Sequence, residues 1–65
     1  MIEVEKVISL TFIAFYIKGT NKLHRLDGPA VKWFDGTENW YIHGNNINCS
    51  SQKEFERLIK LLVFI

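Results

Sequence analysis

The chain is poor in the features that usually staple or anchor a small protein. It holds one cysteine, Cys49, so no intrachain disulfide can form. A zinc site would have only Cys49, His24, His43 and carboxylates to draw on, and neither a metal nor a cofactor is expected. Charge of one sign is equally scarce: eight Lys and Arg against seven Asp and Glu leave +1. That is far from the basic excess with which phosphate-tracking proteins gain affinity through counterion release, so nucleic acid is not the expected partner. Long apolar runs are few. Val7 to Ile17 is too short to cross a bilayer as a helix, and the residues before it carry Glu3 and Glu5 with only Lys6, the wrong charge for a secretory signal. The expected setting is a reducing cytoplasm, away from the membrane.

At 65 residues the chain makes a single domain, residues 1–65, whose one core leaves stability marginal. With no staple, self-association as a twofold homodimer is expected. What the chain does have is apolar residues, 48% of the total, ample for a globular chain and no sign of disorder.

Three segments carry the fold, and together they predict an α+β class: a small antiparallel sheet of about three strands with one C-terminal helix packed on it. Residues 7–18 form a β-branched and aromatic run without Gly or Pro, closed by the turn cluster Gly19-Thr20-Asn21-Lys22. It reads as one long strand with apolar residues on both faces, so it should be covered on both; a buried helix competes, because periodicity does not separate the two in so short a run. In residues 23–44, Asp35-Gly36 signals a two-residue type I′ hairpin. Counting outward from that turn opposes Phe34 to Thr37, Trp33 to Glu38, Lys32 to Asn39 and Val31 to Trp40. One face then holds Val31, Trp33, Trp40 and Ile42 as core, and the other Ala30, Lys32, Phe34, Asn39, Tyr41 and His43. Gly28 gives freedom at the bend before Pro29, which precedes the strand. In residues 51–62, Ser51-Gln52-Lys53-Glu54 is a capping box, and Phe55, Leu58, Ile59 and Leu62 make one apolar stripe of a helix. The all-apolar end, Leu61 to Ile65, must dock or pair with another chain.

Phe15-Tyr16-Ile17-Lys18-Gly19 echoes Trp40-Tyr41-Ile42-His43-Gly44. If the two strands are equivalent, Phe15 and Ile17 share a face with Trp40 and Ile42, and Tyr16 shares the other with Tyr41. These residues, with His24-Arg25-Leu26-Asp27-Gly28-Pro29-Ala30 and Asp35-Gly36, resemble the MORN-like repeats of small bacteriophage and giant-virus proteins, which stack short β-hairpins. The resemblance covers Phe15 to Gly44, about half the chain. No second His-Arg-x-Asp-Gly-Pro-Ala follows Gly44, so there is one unit and not an array. The resemblance implies a hairpin scaffold and a viral origin, and it implies no reaction.

Each candidate site has a structural rival. His24, Arg25 and Asp27 bring imidazole, guanidinium and carboxylate together, as acid-base or phosphate-binding chemistry requires; a turn network that holds the Gly-Pro bend is the favoured reading. His24 and His43 lack a third metal ligand. Cys49 beside a helix start could have a lowered thiol pKa, though a partly buried inert thiol is favoured. The constellation that stands above its rival is aromatic: Phe12, Tyr16, Phe34 and Tyr41, with Lys32 and His43, form a surface suited to protein contact. Stacking of single-stranded bases and cover by residues 1–6 or the C-terminus are the alternatives. The expectation is therefore a small non-catalytic binding protein. With the resemblance, that becomes a virus-encoded effector that blocks or redirects a host protein such as a nuclease component of antiviral defence. A nucleic-acid-binding accessory protein or a purely structural repeat module are the other readings.

Overall fold

The computed structural model describes residues 2–63, with helix side chains as far as Leu61. Five antiparallel strands, β1 (Val4–Ile8), β2 (Phe12–Ile17), β3 (Val31–Trp33), β4 (Glu38–Ile42) and β5 (Asn45–Ile47), lie in chain order in one sheet, followed by α1 (Gln52–Val63). The α+β class and the C-terminal helix are as expected; the sheet has five strands and not about three.

The first difference is at residues 7–18, which do not form one strand. The chain reverses at Leu10-Thr11, where the Ser9 N–H donates to the Phe12 carbonyl at 2.8 Å and Ile8 pairs with Ile13. No Gly, Pro, Asn or Asp marks the bend, and Leu10 stands 95% exposed at its tip. A turn that needs no positive φ leaves no trace in composition.

The second difference is the register of β3 and β4. Val31 pairs with Asn39 and Lys32 with Glu38, and the Trp33 N–H donates to the Thr37 carbonyl at 2.8 Å. The loop therefore has three residues, Phe34-Asp35-Gly36. Gly36 has φ +99° while Asp35 keeps a negative φ, so the turn is a right-handed one closed by a left-handed glycine and not type I′. The Asp35 carboxylate helps choose it by accepting the Thr37 N–H at 2.9 Å. One residue of slip exchanges the faces of a whole strand. Trp40 and Ile42 thus lie with Ala30 and Lys32, while Val31 and Trp33 lie with Asn39 and Tyr41.

The type I′ conformation occurs one hairpin later. His43 and Gly44, at φ 49° and 83°, join β4 to β5, with Ile42 opposite Asn45. Both of their backbone N–H groups are taken by the excursion between β2 and β3: Gly44 donates to the Leu23 carbonyl at 2.8 Å and His43 to the His24 Nδ1 at 3.0 Å.

α1 packs on the face that carries Trp40. The Trp40 and Phe55 rings lie 6.5 Å apart, and Gln52 joins three elements by accepting from the Trp40 indole at 2.8 Å and donating to the Leu26 carbonyl at 3.1 Å. Ala30, Trp40, Phe55 and His24 are buried here, and Ala14 and Val31 on the other face. Ser51 caps the helix by accepting the Glu54 N–H at 3.2 Å. The Glu54 carboxylate takes the Ser50 hydroxyl at 3.4 Å, so the capping box is not the expected reciprocal one. Of the apolar end, Leu61 is exposed; the docking expected of the side chains of residues 62–65 lies outside what the structure describes. The Cα envelope is only 15 Å in its thin dimension, room for one layer against the sheet.

Candidate functional site

Strand alternation and register define two surfaces. The helix face carries Ile13, Phe15 and Ile17 of β2 with Trp40 and Ile42 of β4, and the open face carries Phe12, Ala14 and Tyr16 with Val31, Trp33, Asn39 and Tyr41. The equivalence suggested by the internal echo therefore fits in its faces. Its turns differ, since Lys18 lacks the positive φ of His43.

On the open face the Phe12 and Trp33 rings meet at 5.1 Å with a 59° tilt, within the centroid range in which aromatic pairs attract. The Trp33 indole N–H donates to Asn39 Oδ1 at 3.1 Å, which tethers the ring to β4 with 38% of its surface open. Phe12, Tyr16 and Tyr41 are half-buried, which makes Ala14 and Val31 the floor between them. A shallow groove lined by Val7, Tyr16, Thr20 and Asn21 borders the platform.

The expected aromatic constellation is thus brought together only in part. Phe12, Tyr16 and Tyr41 share the open face; Lys32 points to the helix face; Phe34 stands 59% exposed in the β3–β4 turn; His43 is in the β4–β5 turn with its ring 4.8 Å from that of His24. Trp33 and Asn39, assigned to opposite faces by the type I′ register, are neighbours here. The three-residue turn would have placed them correctly.

The second candidate, the loop of His24, Arg25 and Asp27, is closed on itself. The Arg25 guanidinium lies 4.0 Å above the Phe15 ring, donates through Nε to Asp27 Oδ1 at 2.9 Å and through Nη1 to the Pro29 carbonyl at 3.3 Å. That ion pair holds the Asp27 carboxyl below its ordinary pKa. Gly28 serves this packing and not a special φ: a Cβ there would stand 2.7 Å from Arg25 Cζ. His24 is 4% exposed, and burial, helped by the nearby His43, lowers its pKa. Its Nδ1 accepts a backbone N–H, so the neutral ring carries its proton on Nε2.

Burial pushes the Cys49 thiol up, aided by the Glu54 carboxylate and only partly offset by the Ser51 N–H. A raised thiol pKa argues against the activated reading of this cysteine. Among the described residues no three His, Cys, Asp or Glu gather as metal ligands, and no helix is long and apolar enough to cross a membrane. No family model matches the chain, and no curated protein and no solved structure matches it either.

Proposed function

We propose that this chain is a non-catalytic binding protein and that the open sheet face is its docking surface for another protein. The observation that carries the reading is the Phe12–Trp33 pair, with Tyr16 and Tyr41 across the Ala14 and Val31 floor, on the face turned away from α1. Trp and Tyr supply large rigid contact area with a polar tip, and they dominate binding energy when a partner seals them from water. The polar groups of the His24 to Pro29 loop support the same reading, because they are spent on one another and on backbone groups. The MORN-like resemblance supplies the setting, a virus-encoded effector that engages a host protein.

The test is capture from bacterial lysate, after nuclease treatment, by tagged wild type and by a Trp33→Ala, Tyr41→Ala double variant. A real docking face loses its specific partner in the variant while α1 and the melt are retained, since Trp33 is part-exposed and lies on the face opposite Trp40 and Phe55. Undiminished capture would move the site elsewhere. If the wild type sediments as a dimer that the same variant dissociates, a second copy of the chain is the occupant.

A further inference from the structure

The strand β1 is exposed at every residue and forms one edge of the sheet. Its hydrogen-bonding phase can be read from its ends: the Ser9 N–H donates to Phe12 and the Lys18 N–H to Glu3. Residues 3, 5, 7 and 9 therefore turn their backbone groups towards β2, and Val4, Lys6 and Ile8 turn theirs outward. The outward residues project their side chains onto the helix face, where Val4 continues the row of Ile17, Ile8 the row of Ile13, and Lys6 the row of Phe15 beneath the Arg25 guanidinium. The edge reads apolar, cationic, apolar. Among the described residues Lys6 has no carboxylate within ion-pair distance, whereas Glu3 pairs with Lys18 at 3.5 Å.

A second copy is a poor occupant of this edge. Twofold pairing through the outward groups must join residues of like parity. Centred on Glu5 it opposes Glu5 to Glu5, on Lys6 it opposes Lys6 to Lys6, and on Val4 it opposes Glu3 to Glu5. Like charges directly opposite destabilise a ladder. Centred on Val7, only Lys6 and Ile8 remain to exchange hydrogen bonds across the two copies.

We propose that β1 takes an extended strand of a different polypeptide, added antiparallel to the sheet, with apolar side chains opposite Val4 and Ile8, a carboxylate opposite Lys6 and a cation opposite Glu5. Main-chain hydrogen bonds to the outward groups hold the strand, and the Lys6 and Glu5 charges set its register. The added strand would border the open face at Glu5 and Val7, which stand opposite Tyr16 and Ala14, and lies two strands or more from Trp33 and Tyr41.

The probe is a fluorescein-labelled peptide containing Ile-Thr-Glu-Lys-Val-Lys, compared by fluorescence anisotropy with the charge-exchanged Ile-Thr-Lys-Glu-Val-Glu. The first binds saturably and the second at least about tenfold more weakly. Lys6→Pro removes an outward N–H that the fold does not use, so it weakens the first peptide at least about tenfold and leaves the melt unchanged. Should that variant unfold, Lys6→Glu is the second readout, and it narrows or inverts the preference between the peptides. Trp33→Ala and Tyr41→Ala leave both affinities unchanged, which separates this edge from the open face. Equal affinity of the two peptides, no saturation up to about 1 mM, or a wild-type dimer that Lys6→Pro dissociates would overturn the proposal.

Discussion

At the scale of the residue, the contacts of His24 and Arg25 account for the His-Arg-x-Asp-Gly-Pro-Ala stretch in terms of packing. His24 is neutral when folded because its Nδ1 is an acceptor and its ring is buried beside His43. Its pKa lies below the ordinary value, so the unfolded chain takes up the proton first. Stability is then full above about pH 6.5 and falls as pH drops through that value towards the folded pKa. Denaturant melts at several pH values check this. His24→Asn, whose amide oxygen can accept the His43 N–H without titrating, should flatten the loss in that window, while the losses tied to Asp27 and Asp35, whose pKa values are also lowered, remain at lower pH. Gly28 makes a second prediction. Gly28→Ala shifts the Arg25 guanidinium against Phe15, Asp27 and Pro29 and should cost up to about 1 kcal/mol. In an Arg25→Ala background the same change should cost little, so a double-mutant cycle by urea denaturation reads the coupling directly.

At the scale of the element, the β3–β4 turn and the helix are each held by few interactions. In a type I′ turn glycine would suit the Asp35 position, but here Asp35 has a negative φ and its carboxylate holds the Thr37 N–H. Asp35→Gly should therefore destabilise the chain by about 0.5–1 kcal/mol. Gly36→Val puts a β-branched residue at φ +99° and should cost at least about 1 kcal/mol. A stabilised Asp35→Gly variant in thermal melts would reinstate the two-residue turn and its faces. α1 depends on Phe55, the largest fully buried side chain among the described residues. Phe55→Ala should cost about 3–5 kcal/mol and release the helix. In a Trp33→Phe background the remaining indole, Trp40, would then shift its fluorescence to the red as it loses Phe55 and Gln52.

At the scale of the whole molecule, one layer of helix against a five-stranded sheet leaves apolar surface that the described residues do not cover. Val7, Trp33 and Phe34 are open on one side and at one end, and Val4 and Ile8 along an edge. Exposed apolar groups clustered in this way mark contact surfaces. The charge argues about the kind of contact: +1 spread over both faces, with Lys32 facing away from the aromatic platform, gives no track for phosphates. Single-stranded DNA should therefore show no binding that persists near about 0.2 M salt, measured by anisotropy with a labelled oligonucleotide; persistent binding would favour the nucleic-acid reading over protein contact.

The sequence by itself determined the local pieces whose causes are local: a Ser51-capped helix with Phe55 on its buried side, strand-forming runs around Phe12 to Ile17 and Glu38 to Ile42, a reversal at Asp35-Gly36, and a Gly-Pro bend braced by Arg25 and Asp27. It also carried, in the Phe15 and Trp40 echo, which residues share a face. Tertiary structure decided the count of strands and the register. The Leu10-Thr11 reversal needs no special residue and is fixed by the pairing of Ile8 with Ile13; the length of the Asp35-Gly36 loop depends on the Trp33 and Thr37 hydrogen bond; and the left-handed His43 is held by acceptors from Leu23 and His24, far away in sequence. Which aromatics form the open face follows from those pairings, because one residue of slip turns every side chain of a strand to its other side.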